Sequence, residues 1–121
     1  MEDENTFHGI MRQKMNEYVH LVYKISKCFP IEELYGVTSQ LRRSALSVIL
    51  NYIEGYARIK NKVHRNFLEI AYGSLKESVY LMDFAKEEGY IEIVGDFQKA
   101  KALADEIGAM LWKTFNGLDN H

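Results

Sequence analysis

Six basic residues lie within one quarter of the chain, and their type and spacing would suit the binding of a polyanion. They are Arg42, Arg43, Arg58, Lys60, Lys62 and Arg65. Segment 38–66 contains one acid, Glu54, so its net charge is +5, whereas the whole chain has -2 and the remainder therefore has -7. Lysine and arginine hold phosphates by charge and hydrogen bonding. The segment predicts a surface that binds RNA or DNA; a solvated basic loop without a ligand is the alternative.

Polar residues at helical spacing form a second group of interest. Arg43, Ser47 and Asn51 begin a stripe that continues through Glu54 and Arg58 at steps of three or four residues. With the following helix they predict a polar network made of Asn51, Glu54, Gly73, Ser74 and Glu77. Its glycine lacks a side chain and would let another helix approach closely. The network would fix the register of buried or interfacial helices; the alternative is a solvated face with an ordinary ion pair.

Residue types that support catalysis or metal binding are few and badly spaced. A di-metal carboxylate bundle requires two Glu-x-x-His pairs, and only Glu17 with His20 fits that spacing. The chain has no Gly-rich phosphate loop and no nucleophile motif. The one cysteine, Cys28, stands near the end of an apolar segment, which predicts a small core residue. We therefore predict no enzymatic activity, no cofactor and no bound metal.

Length and composition predict one folded domain over residues 1–121. Of the 121 residues, 47% are hydrophobic and 26% are charged, which is ordinary for a folded protein. A single cysteine excludes an internal disulfide. The first residues are acidic, whereas a signal peptide begins with basic ones, and no apolar run reaches the length of a membrane span. These features predict a cytoplasmic protein without a membrane partner.

The apolar spacing and the single proline, Pro30, predict an all-α chain of four helices. The first helix is predicted to end near Phe29, and the second to run from Thr38 or Ser39 to Arg58. The third is predicted from Lys62 to Glu88 and the fourth from Asp96 to Asn116. Thr38 or Ser39 would cap the second helix, and Gly89 and Gly117 would end the third and fourth. Short connections between helices of this length predict an antiparallel, up-down-up-down bundle.

The second helix is apolar on more than one side. Leu41, Ala45, Val48 and Tyr52 form one stripe, and Leu46, Ile49, Ile53 and Tyr56 form another. Because a second apolar side must also be covered, either the core stripe is wide or the surplus is a subunit interface. Tyr52 and Tyr56 could stack on nucleic-acid bases, although their spacing favours the core.

Three sequence blocks resemble the bacterial ribosomal-RNA intervening-sequence proteins, the S23 group. The blocks are Thr38-Ser39-Gln40-Leu41-Arg42-Arg43-Ser44-Ala45, Asn51-x-x-Glu54-Gly55-x-x-Arg58, and Phe67-Leu68-x-Ile70-Ala71-x-Gly73-Ser74-Leu75-x-Glu77. The resemblance implies an antiparallel four-helix bundle that assembles into a ring-like homopentamer. Related bundles are accessory subunits of reverse transcriptases in diversity-generating retroelements, where they bind nucleic acid and the polymerase. The second helix departs from the family pattern by bulkier residues at Ile49 and Leu50 and at Tyr52 and Ile53.

The sequence thus leaves two functional hypotheses. The leading one is a non-enzymatic, self-assembling bundle that binds structured RNA or DNA through segment 38–66. The alternative is a protein–protein adaptor or scaffold without nucleic-acid binding, whose acidic faces dock a reverse transcriptase or another protein. Clustered acids such as Glu87 with Glu88, and Asp105 with Glu106, would form those faces.

Overall fold

A computed structural model describes residues 6–57 and 61–119, and all regular structure in these ranges is helical. The elements are α1 (Phe7–Ser26), a short 3-10 helix (Ile31–Glu33), α2 (Val37–Tyr56), α3 (Asn61–Glu87) and α4 (Val94–Asp119). The prediction of an all-α chain with four long helices is confirmed.

Helix α1 ends three residues earlier than expected, and Pro30 explains why. In a continued helix the residue at position 30 would donate its N–H to the carbonyl of Ser26, but proline has no N–H. The N–H of Phe29 binds the Ser26 carbonyl instead, at 3.1 Å, so residues 27–29 form a turn. Cys28 therefore lies beyond the helix and is exposed as a free thiol. The prediction of a core cysteine is wrong.

The cap of α2 also differs from the expectation. Gly36 holds the cap position without a side-chain hydrogen bond, and Glu33 Oε1 accepts from the Val37 N–H at 3.5 Å. Thr38 already lies inside the helix, where its hydroxyl is buried without a partner. The 3-10 helix brings the Glu33 carboxylate to the helix start, and so neither Thr38 nor Ser39 is the cap.

Glycine has opposite outcomes at the ends of α3 and α4. Gly89 has φ of +80°, and the N–H of Tyr90 binds the Ala85 carbonyl at 2.9 Å, a glycine-terminated helix end as expected. Gly117 does not end α4, which continues to Asp119.

The core is built from one face of each helix, at the spacing that the sequence shows. Its fully buried members include Met11, Met15, Tyr18, Val22, Leu41, Ala45, Val48, Tyr52, Ala71, Met82, Ala100 and Ile107. In α2 the first apolar stripe is buried, whereas Leu46 and Ile53 of the second are exposed. Ile49 and Tyr56 of the same stripe are half-buried and pack against the core, so only part of the second stripe is uncovered.

Each helix packs against two neighbours. Helix α1 contacts α2 and α4, and α3 contacts the same two helices. Arg42 near the start of α2 binds Ser26 at the end of α1, and Arg65 near the start of α3 lies over Phe115 near the end of α4. Ion pairs join α1 to α4: Lys14–Glu106, Glu17–Lys99 and Lys24–Asp96.

Helix α2 approaches α3 closely at Gly55. A Cβ at Gly55 would lie 3.2 Å from Cδ2 of His64 and 3.2 Å from Cβ of Phe67, both on α3. Gly73, the glycine that the sequence selects for close packing, has nothing within 4 Å of a Cβ. Within this chain the expectation for Gly73 is therefore wrong, because α2 meets α3 through Gly55.

Substitutions of Gly55 and Gly73 are expected to change the free energy of unfolding in opposite directions. Gly55→Leu forces α2 away from α3 and should lower the free energy of unfolding by about 1–3 kcal/mol. Gly73→Ala meets no neighbour and should raise it by up to about 1 kcal/mol through helix propensity. Urea unfolding followed by circular dichroism measures both, and equal effects of the same sign would contradict this packing.

Candidate assembly and nucleic-acid surfaces

The structure divides the basic segment into packed and exposed side chains. Arg42 and Arg65 are half-buried, whereas Arg43 and Lys62 are exposed. Arg58 and Lys60 lie outside the described residues. The four described residues therefore do not form one continuous, freely presented surface.

Arg42 connects two helices. Its Nε donates a hydrogen bond to Ser26 Oγ at 2.7 Å, and its guanidinium carbon lies 4.9 Å from the centre of the Tyr23 ring. Both partners belong to α1. The cation–π contact and the hydrogen bond hold the guanidinium against the bundle, so Arg42 contributes to packing between α1 and α2.

Basic residues from two helices meet at one end of the bundle. Arg65 lies 4.4 Å over the Phe115 ring, and Lys62 precedes it by one turn. Lys113 of α4 reaches the same end, with Nζ 5.7 Å from the ring centre of Phe7. Sequence reasoning missed Lys113 because it lies far from segment 38–66 along the chain. The repeated pairing of cations with aromatic rings was not visible in the sequence either.

The polar stripe of α2 meets α3 through two serines. Ser47 Oγ lies 2.8 Å from Ser74 Oγ, and Asn51 Nδ2 donates to Ser47 Oγ at 2.8 Å and to its carbonyl at 2.9 Å. Glu54 is half-buried on the same helix, whereas Glu77 is exposed. Asn51 and Ser74 are thus joined by Ser47, and Glu77 and Gly73 lie outside these hydrogen bonds.

Two histidines and two tyrosines cluster where α1, α2 and α3 meet. The Tyr52 hydroxyl lies 2.8 Å from His8 Nδ1, and the Tyr56 hydroxyl lies 2.5 Å and 2.9 Å from the two His8 ring nitrogens. The Tyr56 and His64 ring centres are 4.4 Å apart in an edge-to-face arrangement. Tyr52 is fully buried and Tyr56 half-buried, so these tyrosines pack inside the bundle and do not present a face for base stacking.

The surroundings of His64 disfavour its charged form. Burial lowers its pKa from the ordinary value, and the nearby His8 lowers it further. Its Nε2 atom is buried without a hydrogen-bond partner. Protonation of His64 is therefore disfavoured in the folded protein.

The folded protein is expected to lose stability as the pH falls, because of His64. A group whose pKa is lower in the folded state is protonated first in the unfolded chain, so its contribution is complete above about pH 6.5 and decreases as the pH falls below that value. His64→Phe retains the ring contact and removes the ionisation. Urea unfolding between pH 8 and pH 5 should show the wild type losing stability relative to His64→Phe. A difference that stays constant with pH would contradict this expectation.

An exposed apolar stripe on α2, which we call the α2 ridge, consists of Leu46, Leu50 and Ile53. Their side chains are 37%, 54% and 41% exposed. Beside the ridge, Leu46 and Ile49 line a shallow depression between α1 and α2 together with Val19 and Tyr23 of α1. Single exposed leucines are common on protein surfaces and need no explanation. Three large aliphatic side chains in one row form a larger apolar patch, which does need one.

A second apolar surface lies between α3 and α4. We call it the α3–α4 groove; it has a volume of about 270 Å³ and is lined by Leu68, Glu69, Tyr72, Gly73, Leu111, Trp112 and Phe115. Trp112 is 55% exposed, and its plane is within 14° of the Phe115 ring plane. The missing side chain of Gly73 helps to keep the groove open. Sequence reasoning missed this surface because its walls come from two helices separated by about forty residues.

Neither a metal cluster nor a membrane helix occurs in the part of the chain that the structure describes. No three His, Cys, Asp or Glu side chains of residues 6–57 and 61–119 are grouped to hold a metal ion. No helix in these ranges combines the length and hydropathy that crossing a bilayer requires.

Four helices with two uncovered apolar surfaces define an all-α helical-bundle protein. A model of the 23S rRNA-intervening sequence protein family matches residues 9–113, and the chain belongs to this family. Its structure is similar to that of a protein of unknown function from the S23 ribosomal protein family of Bacteroides thetaiotaomicron, with a TM-score of 0.76 and 20% sequence identity over 87% of this chain and 97% of that chain. At this identity the similarity shows a shared fold. A search of curated protein sequences found no match.

Proposed function

We propose that this protein is a non-enzymatic, antiparallel four-helix bundle that assembles into a ring-like homopentamer in the cytoplasm and binds RNA or DNA through its basic segment. The observation that supports self-assembly most strongly is the α2 ridge. It places large aliphatic side chains in solvent on a helix whose opposite stripe already fills the core. Covering such a row gains free energy in proportion to the apolar area removed from water.

Native mass spectrometry tests the copy number. A homopentamer has five times the 14.1 kDa mass of the chain. If the largest species has another number of copies, self-assembly is supported and the pentamer is rejected. A spectrum with the single-chain mass at every concentration would reject both.

The nucleic-acid part of the proposal is supported by exposed cations at one end of the bundle. Lys62 is exposed there, and Arg65 and Lys113 lie against aromatic rings at the same end. An oligomer would present this set once per copy. Several weak phosphate contacts then add along one nucleic acid, which raises the effective affinity without any new contact.

Removing two charges of the basic segment, Lys60 and Lys62, is expected to reduce the salt dependence of nucleic-acid binding. Each phosphate contact contributes about 0.7–0.9 to the slope of log affinity against log salt, so Lys60→Ala/Lys62→Ala should reduce that slope by about 1.5 per site. Fluorescence anisotropy with a labelled structured RNA at 50–200 mM salt measures it. Arg65 is retained because its contact with Phe115 also contributes to packing.

A matched variant separates local contacts from net charge. Lys86→Ala/Lys99→Ala removes the same charge from exposed positions on α3 and α4 and should bind RNA with the wild-type slope. Equal effects of the two variants would reject a specific basic surface. Absence of RNA binding by the wild type would reject nucleic-acid binding as a whole.

A protein–protein adaptor remains the second candidate, since an exposed apolar row also suits a different protein. In that case the bundle stays monomeric alone, and affinity purification recovers one defined partner after nuclease treatment. Loss of that partner with a ridge substitution, in a protein that does not self-associate, would favour the adaptor over self-assembly.

A further inference from the structure

The α2 ridge and the α3–α4 groove lie on opposite sides of the bundle. Helix α1 packs on α2 and α4, and α3 packs on the same two helices, so the α1–α2 side faces away from the α3–α4 side. The ridge borders the depression between α1 and α2, whereas Tyr72 and Trp112 stand on either side of the opposite groove. One chain therefore presents a raised apolar row on one side and an apolar cleft on the other.

We propose that the α2 ridge of one copy packs into the α3–α4 groove of the next copy. This inference rests on the proposed self-assembly and specifies the surfaces that perform it. Leu50 and Ile53 are the side chains that enter the groove, and Trp112 of the neighbouring copy covers them.

The shape of the groove suits a helix of a second copy. Outside the backbone of its own helix, no atom of the described residues lies within 4 Å of a Cβ at Gly73, so the groove can accept a side chain of a facing helix at this position. Small residues at such positions allow helices to approach closely. Packing inside one chain gives no reason for a glycine at position 73, and because Gly73 lines the groove, an intermolecular contact supplies one.

Charge favours the same pairing. Lys27 lines the depression beside the ridge, and exposed Arg43 precedes Leu46 by one turn on α2. The groove margin has both signs: Glu69 and Glu77 are exposed acids, while Arg65 and Lys76 lie over the Phe115 and Tyr72 rings of the lining. The two exposed acids can pair with Lys27 and Arg43 of the next copy, and such charge pairs favour one orientation of the partner.

Unlike surfaces on opposite sides determine the symmetry of the assembly. A ridge that fits a groove does not pair with itself about a two-fold axis, so each contact is head-to-tail. In a closed ring the ridge and the groove of every copy are both occupied, so no further copy can be added. A symmetric dimer through two ridges is the arrangement that would contradict this pairing.

Two single-surface variants test the pairing. The ridge variant is Leu50→Asp/Ile53→Asp, and the groove variant is Gly73→Arg/Trp112→Phe. Each alone should be monomeric, with self-association weakened by about 100-fold or more. Mixed in equal amounts, they should form a 1:1 dimer and nothing larger, because the ridge variant supplies one intact groove and the groove variant one intact ridge.

Trp112 reports on the same experiment. It is the only tryptophan of the chain, and in the mixture only the ridge variant has it. Its emission should shift to shorter wavelength when the partner's ridge covers it.

Two control variants change similar positions outside both surfaces. Ile93→Asp replaces a side chain that is 54% exposed like Leu50, and Gly95→Arg replaces a glycine that also has nothing within 4 Å of a Cβ. Both variants should assemble as the wild type does.

The outcomes separate this inference from the proposed function. If the wild type assembles but the mixed variants stay monomeric, or if either variant assembles alone, the ridge-to-groove contact is wrong and self-assembly stands. If a control abolishes assembly as the ridge variant does, the contact is not specific to these surfaces. If the wild type is monomeric, both proposals fail.

Discussion

Tyr18→Ala is expected to lower the free energy of unfolding by about 3–5 kcal/mol. Tyr18 is fully buried at the centre of the core, and its hydroxyl lies 2.7 Å from Ser78 Oγ on α3. Truncation removes a large apolar ring from between α1 and α3 and leaves a cavity. A domain of this size has a total stability of about 5–15 kcal/mol, so the variant would be close to the limit of folding. Urea unfolding at one fixed protein concentration measures the effect.

Tyr80→Ala provides the matched control. Tyr80 also belongs to α3, but its side chain is 67% exposed, and its removal should change stability by less than about 0.5 kcal/mol. Comparable losses for Tyr18→Ala and Tyr80→Ala would show that the assignment of the core is wrong.

Tyr18→Phe separates the hydroxyl from the ring. At neutral pH it should cost about 1 kcal/mol, since Ser78 keeps its bond to the Leu75 carbonyl at 2.7 Å. Burial raises the pKa of Tyr18 to about 12. The unfolded tyrosine loses its proton first, so the wild type is destabilised as the pH rises above about 10, by about 2–3 kcal/mol in all. Tyr18→Phe should therefore become the more stable protein at high pH; a difference that does not change with pH would contradict the burial of this hydroxyl.

Replacing Leu46, Leu50 and Ile53 together by alanine is expected to abolish self-association while leaving the fold intact. Each large aliphatic side chain gains about 1.5–3 kcal/mol on complete burial, and losing even half of that at three positions raises the dissociation constant at least about 50-fold. The same side chains are already half-exposed within one chain, so the monomer should lose about 1–3 kcal/mol of unfolding free energy and stay folded.

The separation of the two effects identifies an interface. Substituting a core residue lowers both the stability of the chain and its assembly. Substituting an interface residue abolishes assembly in a chain that stays folded. Sedimentation velocity over a concentration series, with circular dichroism of the same samples, measures both quantities. A triple variant that unfolds would place the ridge in the core, and one that assembles normally would place the interface elsewhere.

Helix number and the buried faces could be predicted from the sequence because both depend on local spacing. Residues three and four positions apart lie on one face of a helix, and Met11, Met15 and Tyr18 are buried as that spacing requires. Helix ends were less predictable. The effect of Pro30 reaches back to the Ser26 carbonyl, and the cap of α2 comes from Glu33, which precedes the helix.

The candidate surfaces depended on contacts that no local pattern contains. Arg42 was predicted as a phosphate ligand, but Ser26 and Tyr23 of another helix hold it. Trp112 forms the α3–α4 groove only because α3 lies beside α4. The second apolar stripe of α2 was visible in the sequence, yet only the packed bundle shows that Leu46 and Ile53 of this stripe remain exposed. Local periodicity therefore predicts the fold, while the surfaces need the tertiary arrangement.

Light scattering of the wild-type protein across a range of concentrations tests self-assembly most directly. The mass should remain at five times the 14.1 kDa of the chain at micromolar concentration and above, and the Leu46/Leu50/Ile53→Ala variant in the same buffer should have the mass of one chain. A wild-type mass equal to one chain at every concentration would contradict the proposal that the α2 ridge is covered by another copy.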